Sequence, residues 1–175
     1  MSRAPMADNE KGFPLRIPLG IPHDWTELND EYLEVVEKSK LLGVMITSDL
    51  KWDENTSYLV KKINARMELL RKVASFGTSM EEKRNIYILY IRSILEQSCV
   101  VWHSSLTDEN EKDLERIQKS AVRIILGKDF SNYDDALVKT NLESLKDRRE
   151  ELCINFAKKC LEIEEEEKTY VSNQK

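Results

Sequence analysis

The fold is decided by four blocks that follow one another between residues 40 and 127. They read KLLGVMITSDLKW (40–52), YLVKKINARMELLRKVASFG (58–77), IYILYIRSILEQSCVVW (86–102) and DLERIQKSAVRIILG (113–127). In the last three, apolar residues recur three or four positions apart, the spacing of one buried helix face. The first is a short apolar run around Gly43, typical of a strand. We therefore predict a mainly α protein, a helical bundle of four to five helices preceded by a short β-hairpin.

Proline is confined to the start of the chain. All four prolines fall within the first 22 residues, and helix interiors exclude proline because it lacks the N–H donor. We predict a flexible or extended segment at residues 1–22, in which FPLRIPLGI (13–21) forms an edge strand or an extended strap. The hairpin is predicted within residues 23–52, as strands 32–36 and 41–46 joined by the polar loop 37–40, with Gly43 allowing a close backbone approach.

The helical domain is predicted at residues 53–166, with a polar tail at 167–175. Long helices are expected at 54–76, 80–103, 108–126 and 144–165, and a short one at 133–139. Capping residues precede or open them: Asp53, Ser79 with Glu82 or Thr78 with Glu81, Thr107 and Ser144.

Two of these helices carry specific expectations about burial. The second is so apolar that we expect it to be largely buried, and we interpret its aromatic residues, Tyr90 and Trp102, as core rather than as platforms for stacked bases. The last helix is expected to pack through a stripe made of Leu145, Leu152, Phe156, Cys160 and Ile163.

The composition indicates a globular chain with a heavily charged surface. Of 175 residues, 41% are hydrophobic and 34% charged, with a formal net charge of −5 and a pI of about 5.3. An acidic chain does not coat nucleic acid through its overall charge, so such a role needs a local basic face. Three cysteines without paired spacing, and the lack of a long apolar run, favour an intracellular protein, cytoplasmic or nuclear, without a membrane span.

Catalysis and metal binding have no strong candidate in the sequence. Asp134 and Asp135 look like a polymerase carboxylate pair, but acids in the first turn of a helix explain them better. The zinc-ligand residue types form two isolated pairs, Cys99 with His103 and Cys153 with Cys160. Because a zinc site needs four ligands, we interpret both pairs as core or boundary residues. No hydrolase, P-loop or zinc-protease motif is present, and we predict no metal, cofactor or small-molecule substrate.

Taken in order and at this spacing, the four blocks resemble the region just after the palm in the reverse transcriptases of non-LTR retrotransposons, the LINE-type elements. The resemblance extends from near Tyr32 to near Leu161. It implies the primer-grip and thumb-like part of an RNA-directed DNA polymerase, with Leu41, Leu42 and Gly43 in the primer grip. Ser93 and Gln97 stand where many members carry proline and tyrosine, so the kink of that family is not predicted here.

The resemblance also implies an RNA/DNA duplex as partner, contacted weakly through its phosphates. The candidate contacts are basic residues of the first and third long helices: Lys61, Lys62, Arg66, Arg116, Lys119 and Arg123. The palm aspartates that hold catalytic magnesium are missing, so we expect no polymerase activity from this chain by itself. Basic helix faces are often merely solvated. The alternative is a small helical protein–protein interaction module that recruits partner helices through its last helix, and an enzyme with an unrecognised site is the third hypothesis.

Overall fold

The computed structural model describes residues 17–18, 27–28, 31–32 and 35–172, with side chains from residue 36 to residue 163. It confirms a mainly helical fold with a hairpin before the helices. Four two-residue strands come first: β1 (Ile17–Pro18) pairs in parallel with β4 (Val35–Val36), and β2 (Glu27–Leu28) pairs antiparallel with β3 (Glu31–Tyr32). Within the predicted segment 13–21, Ile17 and Pro18 therefore form a strand. The rest of the flexible or extended segment predicted at residues 1–22 lies outside the described residues.

The main hairpin consists of β5 (Lys38–Leu41) and β6 (Val44–Thr47), joined by a two-residue turn. The hairpin exists as predicted, but the predicted loop 37–40 is mostly strand, and the turn falls at Leu42 and Gly43. The physical reason is backbone conformation, since both turn residues have positive φ, +48° at Leu42 and +89° at Gly43. Two-residue turns that match the twist of the strands require this, and glycine supplies it most easily.

The first long helix, α1 (Asp53–Ser75), buries the predicted stripe of Leu59, Ile63, Met67 and Leu70. Its N-terminus differs from the prediction, because Trp52 is the N-cap and Asp53 is the first helical residue. The Asp53 carboxylate instead accepts a hydrogen bond from the Asn110 amide at 2.9 Å. Asn110 lies in the first turn of α5 (Asp108–Leu126), so the carboxylate joins two helices rather than capping its own.

The second predicted helix is broken into pieces. It consists of α2 (Met80–Ile86), a π-helical segment (Tyr87–Arg92), α3 (Ser93–Leu95), α4 (Cys99–Trp102) and a 3₁₀ turn (His103–Ser105). The prediction of one helix to residue 103 is wrong after Leu95, because Ser98 adopts a φ of +54° and redirects the chain. The Trp102 indole donates to the carbonyl of Gln97 at 3.1 Å, which ties the break to the core.

The second helix is also less buried than predicted. Tyr87, Ile91 and Trp102 are fully buried, whereas the side chains of Leu89 and Tyr90 are 67% and 50% exposed and Val100 is also exposed. The interpretation as core is therefore confirmed for Trp102 and wrong for Tyr90. The side of these pieces that faces the other helices is covered and the opposite side is not, so an apolar run does not ensure burial on every side.

The remaining helices are α5, α6 (Tyr133–Thr140) and α7 (Leu145–Ser172). The predicted caps are found: the hydroxyl of Thr107 accepts from Asn110 N at 3.2 Å, and that of Ser144 from Asp147 N at 3.1 Å. Of the two alternative capping boxes, Ser79 with Glu82 forms. α7 continues to Ser172, past its predicted end at residue 165.

The first part of α7 packs against the other helices and the rest does not. Leu145 and Arg149 are buried and Leu152 is half-buried, but every residue from 154 to 163 is exposed. The predicted buried stripe is therefore wrong from Phe156 onward. The helical body ends near residue 153 because α4, α5 and the 3₁₀ turn, which α7 packs against, extend no further along it.

A buried polar network holds the body together around Gln118 of α5. The Gln118 amide accepts from the Tyr87 hydroxyl at 2.5 Å and donates to the Tyr133 hydroxyl at 2.9 Å and to the carbonyl of Glu143 at 2.6 Å. The Tyr133 hydroxyl donates in turn to the carboxylate of Glu115. Buried polar groups cost free energy unless they are paired, so this network fixes how the π-helical segment, α5 and α6 meet.

We expect Gln118→Leu to lower the free energy of unfolding by about 1–3 kcal/mol, because the fully buried Tyr87 hydroxyl is left without its acceptor. Adding Tyr87→Phe should recover part of that loss, since it removes the orphaned hydroxyl. Urea denaturation of the wild type, both single variants and the double variant measures the coupling. Strictly additive losses would contradict the network.

We expect Leu42→Asn to raise the free energy of unfolding by about 1 kcal/mol, because asparagine tolerates positive φ better than leucine and Asn-Gly suits this turn. Leu41→Asn is the matched control, since Leu41 lies in the strand with ordinary φ and should show no gain. Urea denaturation compares the two. A gain shared by both variants, or by neither, would show that the turn conformation is not the cause.

Candidate nucleic-acid interface

The hairpin and the neighbouring side of α1 form one surface, which we call the hairpin face. Its members are Lys40, Leu41, Leu42, Gly43, Tyr58, Lys62 and Arg66. The three residues from α1 are spaced four apart, at 58, 62 and 66, and therefore share one side of the helix. The structure thus brings the predicted primer-grip residues together with two of the six predicted basic contacts.

Two lysines lie against the ring of Tyr58. The Nζ atom of Lys40, from β5, is 4.6 Å from the ring centroid, and the Nζ atom of Lys62 is 5.9 Å from it. Lys40, and to a smaller extent the charge of Lys62, lower the pKa of the Tyr58 hydroxyl below its usual value. Sequence analysis missed Lys40 because its place beside Tyr58 depends on the hairpin register. In the sequence, only the spacing of four residues between Tyr58 and Lys62 indicated that a lysine would lie beside this ring.

Arg66 has a structural contact as well as a place on this surface. One of its terminal nitrogens donates to the carbonyl of Tyr90 at 2.7 Å, within the π-helical segment. The Ser93 hydroxyl donates to the neighbouring carbonyl of Leu89 at 2.7 Å. Since a guanidinium has five N–H donors, Arg66 can hold the π-helical segment and still offer donors to a ligand.

The hairpin turn is exposed to solvent on one side and contacts Gln97 on the other. The side chain of Leu42 is 86% exposed, and the carbonyl of Leu42 accepts from the Gln97 amide at 3.3 Å. A Cβ atom added to Gly43 would clash with Nε2 of Gln97. The predicted close approach at Gly43 is therefore present, but the approaching group is a side-chain amide rather than backbone.

The other four predicted basic residues lie elsewhere. Lys61 lines a surface cavity of about 400 Å³ together with the acidic residues Asp53, Glu109 and Asp113. The α5 row, defined as Arg116, Lys119 and Arg123, is exposed on the outside of its helix. Its side chains already have partners, since Arg116 pairs with Asp113 at 2.6 Å and the other two lie over aromatic rings.

Helix geometry explains this separation. The groove between α1 and α5 is lined from α1 by Val60, Asn64, Met67 and Arg71, and from α5 by residues that include Arg116. Lys62 follows Val60 by two positions, about 200° around the helix. Lys62 and Arg66 therefore lie on the side of α1 away from the α5 row, and the six predicted residues do not form one continuous surface.

The residues considered for metal binding take other roles. Asp135 accepts from Ser131 and Asn132 in the cap of α6, and Asp134 shares its first turn, as the capping interpretation predicts. Cys99 is buried and Cys153 half-buried, whereas Cys160 is exposed, so the interpretation as a core or boundary residue is wrong for Cys160. Among residues 36–163 no three His, Cys, Asp or Glu side chains are grouped to hold a metal ion.

Arg149 is a buried charge that sequence analysis missed. Its side chain is fully buried, its guanidinium lies 5.7 Å from the ring centroid of Trp102, and its Nε donates to Nδ1 of His103 at 3.3 Å. Burial lowers the pKa of Arg149. Burial and the charge of Arg149 also lower the pKa of His103. The accepting nitrogen must be unprotonated, so the folded protein favours neutral His103.

We expect acid to destabilise the protein partly through His103. Its pKa in the folded state is below its usual value, so as pH falls through about 6.5 the unfolded chain takes up a proton that the folded chain resists. His103→Asn keeps an acceptor but does not titrate, and should show a smaller loss of stability between about pH 8 and about pH 5. Urea midpoints across this range measure the difference. Parallel profiles would show that His103 does not contribute.

No family model, no curated protein and no solved structure matches this chain. Within the described part of the chain, no helix is long and apolar enough to cross a bilayer. The function is therefore inferred from the chain's own residues. Two described surfaces stand out, the hairpin face and the exposed end of α7.

Proposed function

We propose that this chain is the primer-grip and thumb-like, non-catalytic part of a non-LTR retrotransposon reverse transcriptase. In this role the hairpin face contacts the sugar–phosphate backbone of a template–product duplex. The four ordered sequence blocks support the family. The main support for the hairpin face as the contact surface is the hairpin turn, which exposes Leu42 next to Lys40 and Lys62.

Leu42 is costly to the folded chain in two ways. Positive φ costs a residue with a Cβ atom roughly 1–2 kcal/mol, and an 86% exposed leucine gains almost nothing from burial. Residues held in unfavourable backbone conformations concentrate at functional sites. The turn is also held in place by Gln97, so it can present a fixed apolar edge to the sugars of a duplex.

Lys40 and Lys62 supply the charge that such a contact needs. Their ammonium groups lie on the same aromatic ring, and Arg66 follows one helical turn later. This concentrates positive charge in a chain whose net charge is −5. Contacts with phosphate oxygens carry no sequence information by themselves. Binding should therefore be weak, indifferent to sequence and steeply dependent on salt.

The proposed role is to hold nucleic acid, not to transform it. Polymerisation needs carboxylates that bind two magnesium ions around the primer end. The only adjacent aspartates on the described helices, Asp134 and Asp135, belong to the cap and first turn of α6. The α5 row is a secondary candidate, because Arg116 is already paired with Asp113.

A second candidate function is a helical protein–protein interaction module. It is favoured by the exposed end of α7, where Phe156 and Ile163 are 53% and 56% exposed on a helix that leaves the body. Exposed apolar side chains on one helix face are typical of surfaces that bind another helix.

We expect Lys40→Gln combined with Lys62→Gln to weaken binding to an RNA/DNA duplex several-fold at low salt. The slope of log affinity against log salt should become shallower by about 0.9 for each phosphate that the variant no longer neutralises. Fluorescence anisotropy with a labelled duplex at several salt concentrations measures both quantities.

Lys72→Gln combined with Lys128→Gln is the matched control, because both lysines are exposed outside the hairpin face and the change in charge is the same. A third variant, Arg116→Gln with Lys119→Gln and Arg123→Gln, tests the α5 row. Equal affinity and equal salt dependence in the wild type and the hairpin-face variant would refute the hairpin face as the contact. Weaker binding in the third variant alone would move the contact to α5.

A further inference from the structure

The last helix extends well beyond the body that it starts from. α7 has 28 residues, which corresponds to a length of about 42 Å. Its buried residues lie in the first turns, at Leu145 and Arg149, and all residues from 154 to 163 are exposed. We call residues 154–172 the projecting segment. Most of the stability of a protein helix comes from packing of its apolar face, and residues 154–163 have no such packing in this chain.

The projecting segment continues an apolar stripe that begins in the body. Leu152, Phe156, Cys160 and Ile163 follow at steps of four, four and three, which places them on one side of the helix. Leu152 is half-buried where the stripe leaves the body, and Phe156 and Ile163 are exposed. Ile154 and Leu161 lie toward the opposite side. The stripe is therefore a continuous apolar surface with a covered start and an uncovered end.

The charges along α7 identify a fitting occupant. Residues 154–160 contain two basic residues, Lys158 and Lys159, and no acidic residue, a net charge of +2, and residues 161–172 contain one basic and five acidic residues, a net charge of −4. Two copies in parallel would place like charges side by side. Two copies running in opposite directions would place the basic part of each beside the acidic part of the other.

We propose that two copies of this chain associate through antiparallel pairing of their α7 helices, about a two-fold axis near Cys160. Such an interface is isologous, because the same stripe covers itself. With the axis at residue 160, residues 152–159 of one copy face residues 161–168 of the second copy. Lys159 of one copy then lies beside Glu162 of the second copy, one position away along the paired helices.

The body provides a place for the second helix to enter. A groove of about 300 Å³ at the root of the projecting segment is lined by Val100 and Cys99 of α4, by Glu96 and Ser98, and by Leu152, Asn155, Phe156 and Lys159 of α7. Glu96 is already within ion-pair distance of Arg92 and Arg148. The remaining lining combines apolar side chains with the polar Ser98 and Asn155 and the basic Lys159, which suits a helix that carries both apolar and glutamate side chains.

The interface is expected to be weak. A single pair of helices of this length lies near the lower limit of about 1,000 Å² for a specific interface. Dissociation in the micromolar range follows, so monomer and dimer should coexist at accessible protein concentrations. The inference rests on the second candidate function, whose partner it specifies, and is independent of duplex binding.

Sedimentation equilibrium over a range of concentrations tests the association. The wild type should fit a monomer–dimer equilibrium, and Phe156→Glu with Ile163→Glu should raise the dissociation constant by at least about tenfold, since each substitution removes a covered apolar side chain. Ile154→Glu with Leu161→Glu is the control, with the same added charge on the opposite side of the helix, and should change it much less. The urea midpoint of the body should stay the same in both, because all four positions are exposed.

Charge reversal tests the antiparallel direction. Lys159→Glu should weaken the dimer, and adding Glu162→Lys should restore it. Mild oxidation should cross-link the wild type through Cys160, and Cys160→Ser should abolish this while Cys153→Ser does not. A chain that stays monomeric at every concentration overturns the proposal. A dimer that charge reversal leaves unchanged overturns the antiparallel arrangement.

A designed amphipathic peptide, with a leucine stripe and lysine flanks, tests separately whether α7 binds a helix at all and whether that helix is a second copy of α7. If the chain is monomeric but binds this peptide through Phe156 and Ile163, the interaction module stands and the second copy is the wrong partner. If it neither dimerises nor binds the peptide, both are refuted. Duplex titration with Phe156→Glu and Ile163→Glu should match the wild type, which keeps the nucleic-acid function a separate question.

Discussion

The structure depends on the buried face of α5. α1, α2, α6 and α7 all pack against this helix, which buries Leu114, Ala121, Val122 and Ile125 and places the Gln118 amide among them. An amide in an apolar core must find its partners there, because water is excluded. Tyr87, Tyr133 and the carbonyl of Glu143 satisfy it. Hydrophobic burial therefore supplies the stability of the body, and the amide restricts the arrangements in which its helices can meet.

The hairpin face, unlike the buried face of α5, contains a residue whose conformation costs stability. Leu42 is exposed and has positive φ, and Arg66 reaches across to a carbonyl of the π-helical segment. The positive φ and the exposure of Leu42 do not maximise stability. The hairpin face does present a turn whose position is set by Gln97 and two lysines whose position is set by Tyr58. A rigid basic surface loses less entropy when it binds a phosphate backbone than a mobile one would, and this agrees with the proposed gripping role.

α7 is part of the helical body at its start and leaves that body in its later turns. Its first turns complete the core beside Trp102, where Arg149 is buried against His103. Its later turns leave the body and expose apolar side chains on one side. A chain that grips a duplex at one surface and pairs with a second copy at another could hold two duplex segments at once.

The sequence by itself determined the parts that depend on local chemistry. Apolar spacing located α1, α5 and α6, and the hydroxyls of Ser79, Thr107 and Ser144 marked where helices begin, because a cap needs only neighbours along the chain. The resemblance also suggested Leu41, Leu42 and Gly43 as contact residues, with Lys62 and Arg66 of the hairpin face, although the loop of the hairpin was predicted at residues 37–40. Only the tertiary structure decided the hairpin register, the break at Ser98, the partner of Asp53 and the exposure of Phe156. Each of these depends on contacts with an element that is distant in sequence, such as Gln97 at Gly43 or Asn110 at Asp53. The spacing of apolar residues along one helix does not reveal such contacts.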